Sequence, residues 1–120
     1  MEHVNDVPQT YSLLRKWLRP GGLMSHSIDY SSHSYTRDWN GHWTIPAPLW
    51  RVVAGNRKFC INRMPHSEHL RSMKSAGFQV TKESINAAAA LARDALALEF
   101  RQLTEADLGA RCAFVQALAG

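Results

Sequence analysis

Apolar side chains in the first twenty residues recur with the spacing of an amphipathic helix. Tyr11, Leu14 and Leu18 fall on one face of such a helix, with Trp17 beside them. Pro20 cannot continue the helix, because proline lacks the backbone N–H that an interior helical residue donates. The pattern therefore predicts a helix that ends just before Pro20.

A short strand is predicted directly after this helix. Gly21 and Gly22 allow the chain to reverse, and Leu23 to Tyr30 then form a short, mostly apolar run. Side chains alternate between the two faces of a strand, and Asp29 lies near its carboxyl end. A helix, a tight reversal and a buried strand make half of a βαβ unit, which indicates an α/β fold.

The rest of the chain predicts further helices and two more strands. The alanine-rich run has a high intrinsic helix propensity, with Asn86 as its cap. Thr104 and Asp107 form a start resembling a capping box. The predicted elements are a short helix at 49–54, a helix from an N-cap at Ser67 to Gly77, a strand from Phe78 to Ile85, a helix from Ala87 to Leu98, a helix at 105–109 and a strand from Arg111 to Leu118.

Two motifs at the start of the chain have a spacing found in a known family. Glu2-His3-Val4 is followed by the helix that ends in Arg19-Pro20-Gly21-Gly22. The pair resembles the class I S-adenosylmethionine (SAM)-dependent methyltransferases, in which an acidic-His-Val segment follows the fourth strand and a Pro-Gly-Gly turn precedes the fifth. The run from Ser75 to Val80 resembles the entry into the sixth strand, and Cys112 to Leu118 resembles the seventh.

This resemblance implies the C-terminal half of a Rossmann-like methyltransferase sheet. Residues 1–120 would form a single partial domain of about three strands with helices, in the order 5-7-6, the last two antiparallel. The family's glycine-rich cofactor loop has no counterpart, since no G-x-G-x-G occurs. We therefore expect a truncated product, a mis-assigned start or a half-domain that needs a partner, whose open strand edge recruits another chain or self-associates.

The resemblance also assigns site residues at the carboxyl ends of the strands. Glu2 and His3 would lie at the mouth for the cofactor, which would be SAM, although binding by this chain alone is doubtful. A base for methyl transfer at neutral pH is best supplied by histidine, and His3, His26 and His33 are the candidates. Exposure of Glu2 and His3 to solvent, and burial of His26 in the core, are the competing interpretations.

The long connection from 31 to 65 is rich in aromatic residues. The resemblance to the methyltransferases implies that it is a substrate-covering insertion. Its aromatic side chains would close an apolar pocket, or else simply cover the sheet edge. Arg63 would hold an anionic group bidentately. The candidate residues for binding a small-molecule acceptor are Asp29, Tyr35, Trp39, Trp43, Arg63 and His66.

Composition argues against several other classes of protein. The chain has 120 residues, a net charge of +4 and 45% hydrophobic residues, which fits one ordinary globular domain. The basic residues are scattered, so we expect the chain not to bind nucleic acid. No apolar run is long enough for a membrane span. Cys60 and Cys112 are far apart, so a reducing cytoplasm is the expected location. His66 and His69 share a helix face, but no zinc-ligand spacing accompanies them, and no metal site is expected.

The favoured function is therefore SAM-dependent methyl transfer to a small-molecule or sugar-like acceptor. A non-catalytic remnant or partner-binding half-domain is the alternative. A metal-binding or nucleic-acid-binding protein is the weaker alternative.

Overall fold

The computed structural model describes all residues from Met1 to Gly120. It has an α/β fold with four α-helices and a three-stranded antiparallel sheet. The elements in chain order are α1 (Val7–Trp17), β1 (Leu23–Asp29), α2 (Ala47–Ala54), α3 (His66–Ser75), β2 (Phe78–Ala87), α4 (Glu105–Gly109) and β3 (Ala110–Ala119), with short 3₁₀ turns at Gly41–Thr44, Arg93–Ala95 and Leu98–Phe100.

The sheet has the strand order β1-β3-β2, so the last strand in sequence lies at the centre. Its register with β1 runs from Leu23 opposite Leu118 to Asp29 opposite Cys112. β3 is antiparallel to both neighbours, which makes β1 and β2 parallel to each other. The predicted strand order and the antiparallel pairing of the last two strands are confirmed. β1 pairs along one edge only.

Helix α1 begins where its capping residue allows. Asp6 accepts a hydrogen bond from the backbone N–H of Gln9 at 2.9 Å, and Pro8 occupies the first turn. Val7 and Tyr11 are its buried side chains, at 1% and 0% exposure. Asp6 is therefore the N-cap of α1.

The reversal between α1 and β1 needs both of its glycines. Gly21 has a φ of 75°, and its N–H donates to the carbonyl of Ala119 at 2.8 Å. A Cβ atom on Gly22 would lie 2.9 Å from the carbonyl oxygen of Arg19. The turn therefore joins the start of β1 to the end of β3.

The main core lies between one face of the sheet and the helices α1 and α3. Twelve buried residues form it: Val7, Tyr11, Met24, Ile28, Tyr30, Met73, Phe78, Ala110, Ala113, Val115, Ala117 and Ala119. On the opposite face the side chains of Ser25, Ser27 and Phe114 are exposed. Only one face of the sheet is therefore covered by helices.

The alanine-rich segment is not the predicted helix. Strand β2 continues to Ala87, and Asn86 lies opposite Cys112 in the sheet instead of capping a helix. Leu96 is buried at 1% exposure, whereas Leu98 is 73% exposed. The segment instead contains two short 3₁₀ turns separated by extended residues.

Tertiary hydrogen bonds explain why helix propensity is overridden here. The N–H of Leu91 donates to the side-chain oxygen of Asn40 at 3.2 Å, and the N–H of Ala97 donates to the carbonyl of Trp43 at 2.9 Å. An α-helix would withdraw these backbone groups into its own ladder. The alanine-rich segment therefore runs alongside residues 40–43 of the long insertion and packs against them.

The ends of α3 and α4 are joined by one buried carboxylate. Helix α3 begins at His66, so Ser67 is inside the helix and is not its cap. Asp107 accepts hydrogen bonds from the N–H and the hydroxyl of Ser67, both at 2.8 Å. Thr104 accepts from the N–H of Asp107 at 3.1 Å, which confirms the predicted start of α4.

The long insertion packs into two smaller cores. One contains Trp43 with Leu96 and Leu108, and the other contains Trp50 with Cys60 and Ile61.

None of the helices has both the length and the apolar character that a membrane span requires.

Candidate functional site

Polar side chains gather just beyond the carboxyl end of β1. One oxygen of Asp29 accepts a hydrogen bond from the N–H of Ser31 at 2.8 Å. Its other oxygen lies 3.7 Å from Nε2 of His33. His33 and Ser34 both have left-handed backbones, with φ of 47° and 70°. Such conformations are uncommon for residues other than glycine, and they direct the loop back over the end of the strand.

The His3 ring meets the His33 ring at this point. Their centroids are 4.9 Å apart with the planes at 70°. Nδ1 of His3 lies 2.8 Å from the carbonyl oxygen of Phe59, which accepts only, so this nitrogen carries the proton. In the neutral ring Nε2 of His3 is therefore the atom with a free lone pair.

Asn62 holds the amino-terminal segment in place. Its side-chain amide donates to the carbonyls of Met1 and Val4 at 3.0 and 2.9 Å. Its backbone N–H donates to the carbonyl of Glu2 at 2.8 Å. This clamp places the side chains of Glu2 and His3 beside the end of β1.

Glu2 completes the group. Burial alone would raise its pKa, but hydrogen bonds from the Met1 ammonium and from its own backbone lower the pKa overall. Glu2 is therefore ionised at neutral pH. One ligand atom each from Glu2, His3 and His33 lies within 4.8 Å of the others.

The cavities around this group differ greatly in size. The one directly at the end of β1 has a volume of about 10 Å³, room for at most one water molecule. Asn62 also lines a neighbouring open groove of about 470 Å³, together with Asn5, Trp50, Asn56 and Arg57. A groove of this size can accommodate a small molecule.

The aromatic residues of the insertion pack mainly against the insertion itself and the 88–108 segment. Trp43 is 1% exposed, and its indole N–H donates to the carbonyl of Arg63 at 3.0 Å. The indole N–H of Trp39 donates to the carbonyl of Ala89 at 2.6 Å. Tyr35 packs edge-on against Trp50, with ring centroids 5.6 Å apart. These contacts give the three side chains a packing role.

Arg63 is engaged within the fold. Its guanidinium donates to the carbonyls of His42 and Ile45 at 3.0 and 2.6 Å. It also lies over the rings of Trp50 and Phe100, 4.7 and 4.9 Å from their centroids. Burial lowers its pKa to about 10, so it stays charged at neutral pH. The side chain ties the insertion together.

His26 and His66 lie apart from the His3–His33 pair. His26 lies edge-on to Tyr11, and burial, helped by the positive amino terminus, lowers its pKa. His66 is 5% exposed, with Nδ1 2.8 Å from the hydroxyl of Tyr30 and Nε2 2.7 Å from Glu83. The three candidate bases thus separate into two at the strand end and one under α1.

Two features of the site had no signal in the sequence. Every residue has a backbone carbonyl, so the sequence cannot show that the carbonyl of Phe59 is the one that binds His3. Asn62 lies next to Arg63 and carries no motif of its own, although its amide is what fixes the Glu2–His3 segment.

The assembled group has the donors for acid–base chemistry or for metal coordination. It combines two imidazoles with two carboxylates, and Asn62, which holds the segment of Glu2 and His3, also lines the groove. Comparisons of the chain with protein-family models, with curated proteins and with solved structures find no match. Its function is therefore inferred from the site and from the motifs in the sequence.

Proposed function

We propose that this chain is the C-terminal, acceptor-binding half of a SAM-dependent methyltransferase. One observation carries the proposal: His3, His33 and Asp29 converge at the carboxyl end of β1. In open α/β sheets, ligands bind outside the carboxyl ends of the strands. The strand order agrees with the C-terminal part of that family's sheet, which supports the resemblance carried by Glu2-His3 and Arg19-Pro20-Gly21-Gly22.

The described residues fit the acceptor side of such a site. The only adjacent glycines, Gly21 and Gly22, form the reversal before β1 and are not a cofactor cradle. We propose that a second segment or chain holds SAM, with Glu2 and His3 at its mouth. SAM would supply the methyl group, as a sulfonium.

His33 and His3 are the favoured bases among the three histidine candidates. His3 is exposed and the His33 side chain is 29% exposed at the strand end, whereas His26 is packed under α1. Asp29 faces Nε2 of His33 at 3.7 Å, which leaves Nδ1 of that ring to accept a proton from an acceptor hydroxyl. His3 keeps a free Nε2 beside it.

The groove next to the site suits a hydroxylated acceptor. Asn5 and Asn56 supply amide groups that donate and accept, and Trp50 supplies an aromatic edge. Polar side chains with one aromatic surface are a suitable lining for a sugar-like molecule. The acceptor is thus proposed to be small and rich in hydroxyl groups.

The test is methyl transfer from radiolabelled SAM to small hydroxylated acceptors, with the N-terminal, SAM-binding half of a class I methyltransferase supplied as a second chain. His33→Asn and Asp29→Asn should lower kcat, by about 100-fold for the base itself. Asp38→Asn, the same change at an exposed position in the connection after β1, is the matched control. Full activity in both site variants, or no transfer to any acceptor, would contradict the proposal.

A second candidate function is a half-domain that binds a partner through β1. The backbone groups of Gly22 and Tyr30 bond to β3, so the alternate residues, such as Ser25 and Ser27, direct theirs to the unpaired edge. An exposed edge of seven residues without proline is a template for strand addition.

Light scattering across a concentration series tests this candidate. Ser27→Pro removes an N–H from the free edge and leaves the β3 pairing intact, whereas Ser27→Ala keeps the N–H. Association that only the proline variant abolishes supports edge pairing. A monomer at all concentrations excludes self-association through this edge.

A further inference from the structure

Three metal-ligating side chains meet at the end of β1 from two distant parts of the sequence. Glu2 and His3 lie on the amino-terminal segment, and His33 lies in the loop after β1. One ligand atom of each lies within 4.8 Å of the other two. Ligands about 2.1 Å from a tetrahedral zinc ion are about 3.4 Å apart. Small rotations of two exposed imidazoles are enough to close that difference.

Each imidazole already has an acceptor facing one of its nitrogens. Nδ1 of His3 donates to the carbonyl of Phe59 at 2.8 Å. Nε2 of His33 faces a carboxylate oxygen of Asp29 at 3.7 Å. Metal-binding histidines characteristically donate their other N–H to a carbonyl or a carboxylate, which orients the ring and makes it a better ligand. The free nitrogens are Nε2 of His3 and Nδ1 of His33.

The backbone at His33 and Ser34 also departs from ordinary loop geometry. Both residues are in the left-handed region, with φ of 47° and 70°. Neither is glycine, and such conformations persist where surrounding contacts impose them, often at ligand sites. Here they return the His33 ring over Asp29 and toward His3.

From this geometry we infer that Glu2, His3 and His33 form a binding site for a divalent transition-metal ion, with zinc as the best fit. Two imidazoles and one carboxylate leave a fourth position open, as in catalytic zinc sites. The site is distinct from the His66–His69 pair, whose Nδ1 atoms lie 2.8 and 3.3 Å from the hydroxyls of Tyr30 and Tyr11.

This inference does not rest on methyl transfer. A bound zinc ion would act as a Lewis acid toward an oxygen of a molecule in the adjacent groove. An imidazole that binds the ion has no lone pair left for a proton, so His33 serves as a base only in the metal-free protein. If the chain binds no zinc, the proposed role of His33 as a base is unaffected. The two proposals can therefore fail separately.

The experiment is titration of the chain, without a histidine tag, with Zn²⁺ by calorimetry and with Co²⁺ by visible absorption. We expect one ion per chain and d–d bands of a low-symmetry, four- or five-coordinate cobalt. His3→Ala, His33→Ala and Glu2→Gln should each weaken binding at least tenfold. Asp29→Asn should weaken it by about tenfold through the orientation of His33. Asp38→Asn is the matched control and should bind as the parent chain does.

Two rival binding modes have distinct outcomes. A free amino terminus followed by histidine at the third position chelates Cu²⁺ and Ni²⁺ by itself, so those ions are not used. Binding that survives His33→Ala but is lost with His3→Ala, or with an added residue before Met1, would assign it to the terminus. Binding lost with Cys60→Ser but kept in His3→Ala would assign it to the thiol. Either result overturns the inference, as does no binding of either ion.

Folding and ring assignment are checked on the same samples. Far-ultraviolet circular dichroism should be unchanged in each variant, because the three ligand side chains lie outside the helices and strands. In NMR spectra of the imidazole protons, Zn²⁺ should shift the signals of His3 and His33 alone among the six histidines. Shifts confined to His66 and His69 would contradict the assignment.

Discussion

The hydroxyl of Tyr30 lies 2.8 Å from Nδ1 of His66, in a buried contact that joins the end of β1 to the start of α3. Burial raises the pKa of Tyr30 far above its usual range, so the hydroxyl keeps its proton and can donate a hydrogen bond to Nδ1 of His66. Nε2–H of His66 then donates to Glu83 on β2 at 2.7 Å. One chain of hydrogen bonds thus connects both outer strands with α3, beneath the candidate site.

Removal of the Tyr30 hydroxyl should destabilise the fold. Tyr30→Phe leaves Nδ1 of His66 buried without a donor, which costs about 1–3 kcal/mol in the free energy of unfolding. Urea unfolding followed by circular dichroism measures it. Tyr11→Phe is the comparison, since its hydroxyl lies 3.3 Å from His69 and should contribute less. A larger loss for Tyr11→Phe would contradict this ranking.

Stability should fall as the pH drops below about 6.5. Burial lowers the pKa of His42 and His69 to about 3, from 6.5 in the unfolded chain. The unfolded state therefore binds more protons between these values, and each histidine removes up to about 1.4 kcal/mol of stability per pH unit. Urea midpoints at pH 7.5, 6.5, 5.5 and 4.5 test this. A flat profile between pH 6.5 and 4.5 would show that the rings gain a partner when protonated.

Asp107 should be more important to stability than other carboxylates of the chain. Asp107→Ala removes the acceptor for the N–H and hydroxyl of Ser67 at the start of α3, with an expected cost of about 2 kcal/mol. Asp94→Ala, at an exposed position, should change the unfolding free energy by less than about 0.5 kcal/mol. Equal effects in the two variants would exclude the capping role.

Arg63 should behave as a structural residue of the insertion. Arg63→Lys loses the planar group between Trp50 and Phe100. We expect a loss of about 1–3 kcal/mol and a change in tryptophan fluorescence. Arg37→Lys, at an exposed position, is the control. Unchanged stability with weaker acceptor binding would instead favour the substrate role predicted from the sequence.

The chain by itself should bind SAM weakly or not at all, since it contains no glycine-rich loop for the cofactor. Calorimetric titration with SAM is the measurement. A dissociation constant in the low micromolar range, about −8 kcal/mol, would show that this half retains most of the cofactor site.

Local patterns in the sequence were sufficient for the three strands and for α1, whereas the order of the strands came from the resemblance to the methyltransferases. The apolar face of Tyr11 and Leu14, the stop at Pro20 and the alternation after Phe78 are each decided within a few residues. The alanine-rich run failed because its conformation is set by partners far away in sequence, such as Asn40 and Trp43. A propensity scale contains no information about such partners.

The candidate site divides in the same way. The Glu2-His3 motif and Asp29 were both expected at the carboxyl ends of strands, at one edge of the sheet. In the structure His3, His33 and Asp29 lie together at that edge. The tryptophans were expected over the same mouth, but Trp43 packs against Leu96 and Leu108. Whether an aromatic side chain covers a ligand or a core depends on which segment packs against it, and that segment was predicted as a helix.

The central position of β3 has a consequence for synthesis on the ribosome. β1 and β2 are made first, yet neither pairs with the other, and both bond only to β3. Their backbone groups thus have no sheet partner until the last strand has left the exit tunnel. Contacts across such separations close slowly, and unpaired strands are prone to aggregation in the interval. A nascent chain stalled before Ala110 should therefore remain sensitive to protease, and protection should appear only after β3 has emerged from the exit tunnel.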